Sequence, residues 1–187
     1  MVDAPTLRSP IADVSPDFVP NRADAVIIRR IVRRAETPRA IKLFALEHRK
    51  LSDYGYWFTL STLWVSYTGW SDLQQWKWLL SSLRPRRETS IMKPSELAVW
   101  RTLPDVLTVL RVHRPGEQDW ISYTIDIEAA KRFAARRAAE AIQVYRVRKS
   151  DALCLFTRRG EAEVLVLDRR HAELWTTIRV VREAVTP

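Results

Sequence analysis

One cysteine, four glycines, two methionines and three histidines are all that these 187 residues hold of those types. Each shortage excludes something. A lone Cys154 can form no internal disulfide and no cysteine-based zinc site. Between Leu153 and Leu155 it reads as a small buried hydrophobe, and a reducing, cytoplasmic compartment fits. Four glycines supply no Gly-rich phosphate loop, which argues against Rossmann and P-loop folds. His48, His113 and His171 are scattered singly, without acidic partners at ligand spacing, so no metal site is expected. Long hydrophobic runs are lacking too. The uncharged stretch from Tyr54 to Trp70 is broken by glycine, serine, threonine and tyrosine, too polar for a membrane span. Residues 1 to 20 hold no apolar core, so no signal peptide is expected.

What is present is basic and aromatic. Hydrophobic residues make up 47% of the chain, ample for a core, and eight of them are tryptophan,. The net charge of +9 attracts nucleic acid, anionic surfaces or acidic partners without choosing among them. From Arg22 to Lys50 there are nine Lys or Arg against three Asp or Glu.

Residues 1–23 carry four prolines and read as a flexible arm. A helical region is expected over 24–104. Asp24 to Arg34 has an apolar stripe of Ile27, Ile28, Ile31 and Val32, with Arg29, Arg30, Arg33 and Arg34 opposite. Thr37-Pro38 is a helix start, with Thr37 as cap, and the helix runs to about Leu51. Leu60 to Thr68 is ambiguous in type. Ser71 caps a helix to about Leu83 with Leu73, Trp76, Leu79 and Leu80 inward; Trp76 and Trp78 read as core and rim rather than a base-stacking platform. A loop surrounds Pro85, and a short helix spans Ser95 to Leu103.

Residues 105–187 read as a β-rich core that forms one compact unit with 24–104. Strands are expected at 106–113, 120–124, 141–148, 152–156 and 161–168. Asp126 caps a helix from Ile127 to about Ala139, with Ala130, Phe133 and Ala134 inward and Lys131, Arg132, Arg136 and Arg137 outward. His171 to Val181 reads as a strand or a helix, leaning to helix. Helices first and then strands make the chain α+β.

Three of these strands carry a polar residue where a bland strand has an apolar one. In the first, alternation puts Leu107, Val109, Arg111 and His113 on one face, and the other face is apolar as well, so cover on both sides is expected. The second reads Trp120-Ile-Ser-Tyr-Thr124. In the third, Glu161 and Glu163 share a face. Buried charges pair, shift their pKa or serve a ligand. A structural pair of Arg111 with Glu163 is one reading; a binding site is the other.

An arginine on a first strand, Ser-x-Thr on a second and Glu-x-Glu on a later one resemble the Arg–Ser–Glu signature of mono-ADP-ribosyltransferases. The text Trp-Ile-Ser-Tyr-Thr-Ile-Asp126, then Ala130 and Phe133-Ala134, then Arg159-Gly-Glu-Ala-Glu163 resembles small phage-borne and bacterial proteins of that type, over roughly residues 100 to 170. The resemblance implies an ADP-ribosyltransferase-like split β-sheet core and a transferase using NAD as substrate. It implies Arg111 on the NAD phosphates, and Ser122 and Thr124 bracing the glutamate and the nicotinamide ribose. Glu163 would stabilise the oxocarbenium-like ribose, and Glu161 would face the acceptor, its presence being associated with arginine acceptors. The turn at 157–160 would be the acceptor-recognition loop. Tyr123 stacks on nicotinamide or, as a strand tyrosine, belongs to the core. Only ten residues separate Arg111 from Ser122, where many family members have a longer insert with a helix over NAD.

The expected partners are NAD and a protein or nucleic-acid acceptor, in the host cytoplasm if the chain is phage-encoded. The rival reading is a non-catalytic basic protein whose face of Arg29, Arg30, Arg33 and Arg34 holds nucleic acid or an acidic host protein.

Overall fold

The computed structural model describes residues 13–67, 69 and 72–180. Among the described residues, seven α-helices and a six-stranded antiparallel sheet make the fold α+β. It divides into two compact units, the first of residues 1–71 and 83–99, the second of residues 72–82 and 100–187. The boundary thus falls a few residues before 105, and the segment 72–82 goes with the strands.

The first unit is helical. Its α1 (Arg22–Val32) starts at Asn21, whose side-chain oxygen accepts from the amides of Ala23 and Asp24. Ile31 is fully buried, and the four arginines of the opposite face are exposed. Helix α2 (Arg39–Glu47) does not use Thr37 as its cap. That hydroxyl turns back and donates to the Arg34 carbonyl at 2.8 Å, so Pro38 takes the cap position and the helix begins one residue later. Ala40, Ile41 and Phe44 are its buried stripe, and a single 3-10 turn (His48–Lys50) ends it.

Helix α3 (Asp53–Ser66) resolves the ambiguous run. Its buried residues, among them Trp57, Leu60 and Leu63, surround most of the helix, which erases the one-sided stripe that would have marked it,. No helix among the described residues is long and apolar enough to cross a membrane. Buried Asp24 ties α1 to the start of α3. Its carboxylate accepts from the Ser52 amide at 3.0 Å and from the Ser52 hydroxyl, and Ser52 in turn caps α3 through the Gly55 amide. Arg84 adds a clasp, donating to the carbonyls of Leu51 and His48. The loop expected around Pro85 holds a short α5 (Arg87–Ile91). Next, α6 (Pro94–Thr102) begins with Glu96 reaching back to the Lys93 amide at 2.8 Å, half of a capping box,.

In the second unit α4 (Leu73–Leu80) is capped by Asp72, whose carboxylate accepts from Gln74 and Gln75. Ser71, the expected cap, lies outside the described residues. Trp76 is buried and Trp78 exposed. The strands are β1 (Val106–Arg111), β2 (Ser122–Thr124), β3 (Ala141–Arg148), β4 (Cys154–Phe156), β5 (Glu163–Leu165) and β6 (Ala172–Arg179). Helix α7 (Ile127–Arg137), capped by Asp126, sits between β2 and β3 in the chain.

The order across the sheet is β4-β5-β2-β1-β3-β6. These strands hydrogen-bond into one continuous sheet, so the expected split is not a gap in pairing. The pairing is uneven: β1 and β3 pair along the whole of β1, whereas β1 meets β2 at Leu110↔Thr124 alone, a narrow seam. Leu110, Val112, Ile142 and Val144 meet Ala130 and Ala134 of α7 on one face. Leu107 and Val109 are buried on the other, but Val106 and Thr108 are exposed, so β1 is covered on both sides only in part.

Two expectations fail here. The segment from His171 is not a helix: after a 3-10 turn (Arg169–His171) it is edge strand β6, paired with β3. Residues from Leu174 onward are exposed on both faces, so neither period marked it, while Trp175, Thr176, Thr177 and Ile178 suit a strand. Arg137 does not point outward. It lies on the Ala130–Phe133–Ala134 stripe, is partly buried, and donates to the Val112 carbonyl.

Candidate active site

The narrow β1–β2 seam opens a cleft of about 380 Å³, counted out to open solvent. Leu110, Arg111, Ser122, Thr124, Phe133, Arg137, Glu161 and Glu163 are among its lining. The strands bearing Arg, Ser and Glu are neighbours in the sheet, in the order β1, β2, β5 reversed. Register decides which residues meet. Leu110 pairs with Thr124, and Thr124 with Glu163, so Ser122, Thr124 and Glu163 share a face.

Glu163 lines the cleft with its side chain only 8% exposed. The Ser122 hydroxyl donates to its Oε1 at 2.5 Å, and Arg159 Nη2 donates to its Oε2 at 3.1 Å. Arg159 also places Nε 3.5 Å from Oε2 of Glu161. The two carboxylates therefore meet at one guanidinium. Strand alternation does not bring them together, because β5 begins only at Glu163. A tight turn does so: Gly160 and Ala162 both adopt left-handed backbone, at φ 64° and 41°. For Ala162 that conformation costs ~1–2 kcal/mol. It is held by the Ala162 carbonyl, which accepts from the Ile125 amide at 3.1 Å. Thr124 does not reach the glutamate. Its hydroxyl donates to the Glu161 carbonyl and accepts from the Asp126 amide at 2.9 Å, tying β2, the turn and the cap of α7 together.

Arg111 is not the partner of Glu163. Alternation puts it on the opposite face, where Glu117 grips it at Nη2 (2.6 Å) and Nε (3.3 Å). Its Nη1 curls over the strand end to the Ser122 carbonyl. Three of the five N–H donors of a guanidinium are thus used among the described residues.

Behind Arg111 lies an aromatic cluster that the sequence did not announce. His113 sits edge-on to Trp120, with ring centroids 4.2 Å apart. Its Nδ1 is 3.1 Å from Glu117 and its Nε2 is 2.8 Å from the Tyr145 hydroxyl. Burial and then the charge of Arg111 hold His113 below its ordinary value, against the opposing pull of Glu117. A neutral ring has one proton; it belongs on Nδ1, facing the acceptor-only carboxylate, with Tyr145 donating to Nε2. Burial pushes the Glu117 carboxyl up, but the charge and hydrogen bonds of Arg111, with His113, outweigh it and hold the group low. Tyr123 belongs to this cluster. Its ring packs against Tyr145, its hydroxyl accepts from the Trp120 indole at 2.8 Å, and burial pushes it up to about 12. The ring of Tyr123 is therefore core, turned away from the face of Ser122 and Glu163.

Three residues of the site escaped the sequence reading: Arg159, Arg137 and Glu117. Arg137 had a visible signal, since 130, 133, 134 and 137 follow helical spacing. Its guanidinium lies 5.5 Å from the Phe133 ring centre, and burial followed by the charges of Arg114 and Arg111 lowers its pKa. Arg159 and Glu117 sit on turns, where no period operates.

Of the four arginines on and just beyond α1, Arg30 pairs with Glu47 at 2.5 Å and Arg34 bonds the Arg30 carbonyl. Arg29 and Arg33 are exposed, with no ion pair among the described residues. No group of three or more His, Cys, Asp or Glu placed to hold a metal occurs among the described residues. No family model, curated protein or solved structure matches the chain.

Proposed function

We propose that this chain is an NAD-dependent mono-ADP-ribosyltransferase whose reacting centre is Glu163. The observation that carries the proposal is the Ser122 hydroxyl on Glu163 Oε1 at 2.5 Å, inside a cleft that Arg111 also lines. Ser122 and Glu163 meet there from neighbouring strands, and Arg111, which leaves β1 on the opposite face, reaches the rim of the same cleft.

The chemistry follows from what these groups can do. Cleaving the bond between nicotinamide and ribose develops positive charge on the sugar, as in glycoside hydrolysis. A carboxylate fixed in a partly dry cleft stabilises that charge without having to reorganise. Ser122 and Arg159 fix the Glu163 carboxylate in this way. Arg111, gripped from behind by Glu117, keeps two N–H donors for the diphosphate of NAD. Arg137, anchored at the Val112 carbonyl, brings a second cation to the same cleft. Glu161 stands on the turn where an acceptor would approach.

The test is transfer. NAD labelled in its adenylate is incubated with the chain and a host lysate, and the chain's NAD affinity is measured by calorimetry. The proposal expects NAD binding and label carried into macromolecules by wild type, and none carried by Glu163→Gln. Label carried equally by both proteins would refute the assignment of Glu163. No binding and no label would refute the reading itself.

A second reading rests on the exposed face of α1, where Arg29 and Arg33 present charge to solvent. A basic protein that grips nucleic acid or an acidic partner there should bind with an affinity that falls steeply as salt rises. Charge reversal at Arg29 and Arg33 should abolish that binding, and Glu163→Gln should not.

A further inference from the structure

We infer that the open face of β1, β3 and β6 is a binding platform for single-stranded nucleic acid, with Trp175 as its base-stacking residue. The inference stands apart from the transferase reading and from the arginine face of α1.

Helix α7 covers only part of its side of the sheet. Leu110 of β1 and Ile142 and Val144 of β3 pack beneath it. Strand alternation puts Val106, Thr108, Arg146 and Arg148 on that same face. The register sets them side by side, Thr108 with Arg146 and Val106 with Arg148. All four are exposed. The covered end of the face is therefore aliphatic, and the open end carries two guanidinium groups.

Strand β6 brings Trp175 to this face by a bulge. Val144 pairs with Thr176 and Tyr145 with Leu174, so Trp175 is the extra residue between them,. Thr176 lies on the face of Val144, and unbroken alternation would send Trp175 to the other one. The bulge returns it, and the Arg146 guanidinium lies over its ring at 4.2 Å. The indole remains 55% exposed. A single exposed tryptophan carries no meaning by itself. Here a bulge aims the ring, one cation stacks on it and a second stands beside the first.

These groups match one ligand chemistry. A guanidinium on one side of an indole leaves the other side for a nucleobase, and every base has a π-face to offer. Arg146 and Arg148 are two residues apart on one strand, roughly 7 Å along it, and can meet successive phosphates. Glu173, opposite Arg146 in the register, offsets part of that charge, which leaves Arg148 the stronger phosphate contact. A duplex fits less well, because its bases are already stacked on one another. An acidic peptide would meet the arginines but has no plane to lay on the indole.

The experiment is fluorescence anisotropy of the full chain with labelled oligo-dT and oligo-U of about 12 nucleotides, a duplex of the same length, and labelled polyglutamate. The expected result is single-strand binding that Trp175→Ala weakens by roughly 5- to 150-fold and that Trp175→Phe largely restores. Arg148→Gln should lower the slope of log affinity against log salt by about 0.7. Binding of the duplex and of polyglutamate should not respond to Trp175→Ala. Urea midpoints should match wild type, since both side chains are exposed, and Trp175→Phe keeps the test valid if alanine disturbs the strand. No single-strand binding at low salt would overturn the inference, as would equal affinity for wild type and Trp175→Ala. Polyglutamate binding that falls in Trp175→Ala as much as single-strand binding does would mark the face as one for acidic proteins, and would overturn it as well.

Discussion

Replacing Ser122 by alanine deletes one hydroxyl and one hydrogen bond, the 2.5 Å contact to Glu163 Oε1. The bond is charge-assisted and the carboxylate is only 8% exposed, so its loss is worth ~1.5–3 kcal/mol. The opposite oxygen keeps Arg159 at 3.1 Å, and the cleft is open to water, so the lower half of that range applies to folding stability. Turnover is more demanding, because the carboxylate then loses the donor on Oε1 while Arg159 still draws Oε2 toward the turn. If the whole range is lost from the transition state, kcat falls by roughly 10- to 150-fold. Binding of NAD should change little, since Ser122 acts through Glu163 and the donors proposed for the diphosphate are on Arg111 and Arg137. Steady-state kinetics of nicotinamide release and urea unfolding of Ser122→Ala would measure both effects. A kcat within twofold of wild type would refute the claim that this hydroxyl positions the reacting carboxylate.

Other perturbations read different parts of the chain. Gly55→Ala should destabilise the helical unit although alanine is the better helix former. A Cβ there would collide with Asp24 Oδ2, lie 2.8 Å from Asp24 Cγ and 3.2 Å from the Ser52 hydroxyl. Overpacking costs ~1–3 kcal/mol against a propensity gain of ~1 kcal/mol; an unchanged or raised urea midpoint would show that Asp24 can move aside. Arg111→Lys should raise the KM for NAD, because a lysine cannot be gripped by Glu117 and still present a fork to a phosphate; calorimetry of NAD binding would show an unchanged affinity if Arg111 is structural. Acid should weaken the fold in part through His113. Its folded pKa lies below the unfolded 6.5, so as pH falls the unfolded chain takes up the proton first and stability declines from about that pH downward. Glu117, held below its ordinary 4.5, adds a loss at lower pH, as protonation releases Arg111. His113→Gln should flatten the part of the stability curve nearest 6.5, and a curve parallel to wild type would show that His113 does not contribute.

What could be read from the sequence followed from where burial is one-sided. Helix α7 and strand β3 were legible from their patterns and, for α7, from the Asp126 cap. Strand β6 was not, because both its faces meet solvent, nor was α3, because apolar residues surround most of it. At the site, Arg111, Ser122, Thr124, Glu161 and Glu163 were legible as polar residues within strand-like text, and all five line the cleft, Ser122, Thr124 and Glu163 by register, Glu161 by the turn and Arg111 from the opposite face. Their partners were not legible. Arg111 chose Glu117 over Glu163 because alternation sends it to the opposite face, and Glu117 sits on the connection it must reach across. Glu163 chose Arg159 because the left-handed turn at Gly160 and Ala162 folds the chain back on itself. Tyr123 turned to the core side by the same alternation. Turn geometry and cross-strand register leave no period in a sequence, and these two set the connections of the site.

The most direct measurement of the central claim is nicotinamide release from NAD by wild type and by Glu163→Gln, with the unfolding curves of both proteins taken in parallel. The account predicts steady release by wild type and none above background by the variant, with both proteins folded. Equal release by the two, or none by either folded protein, would contradict it.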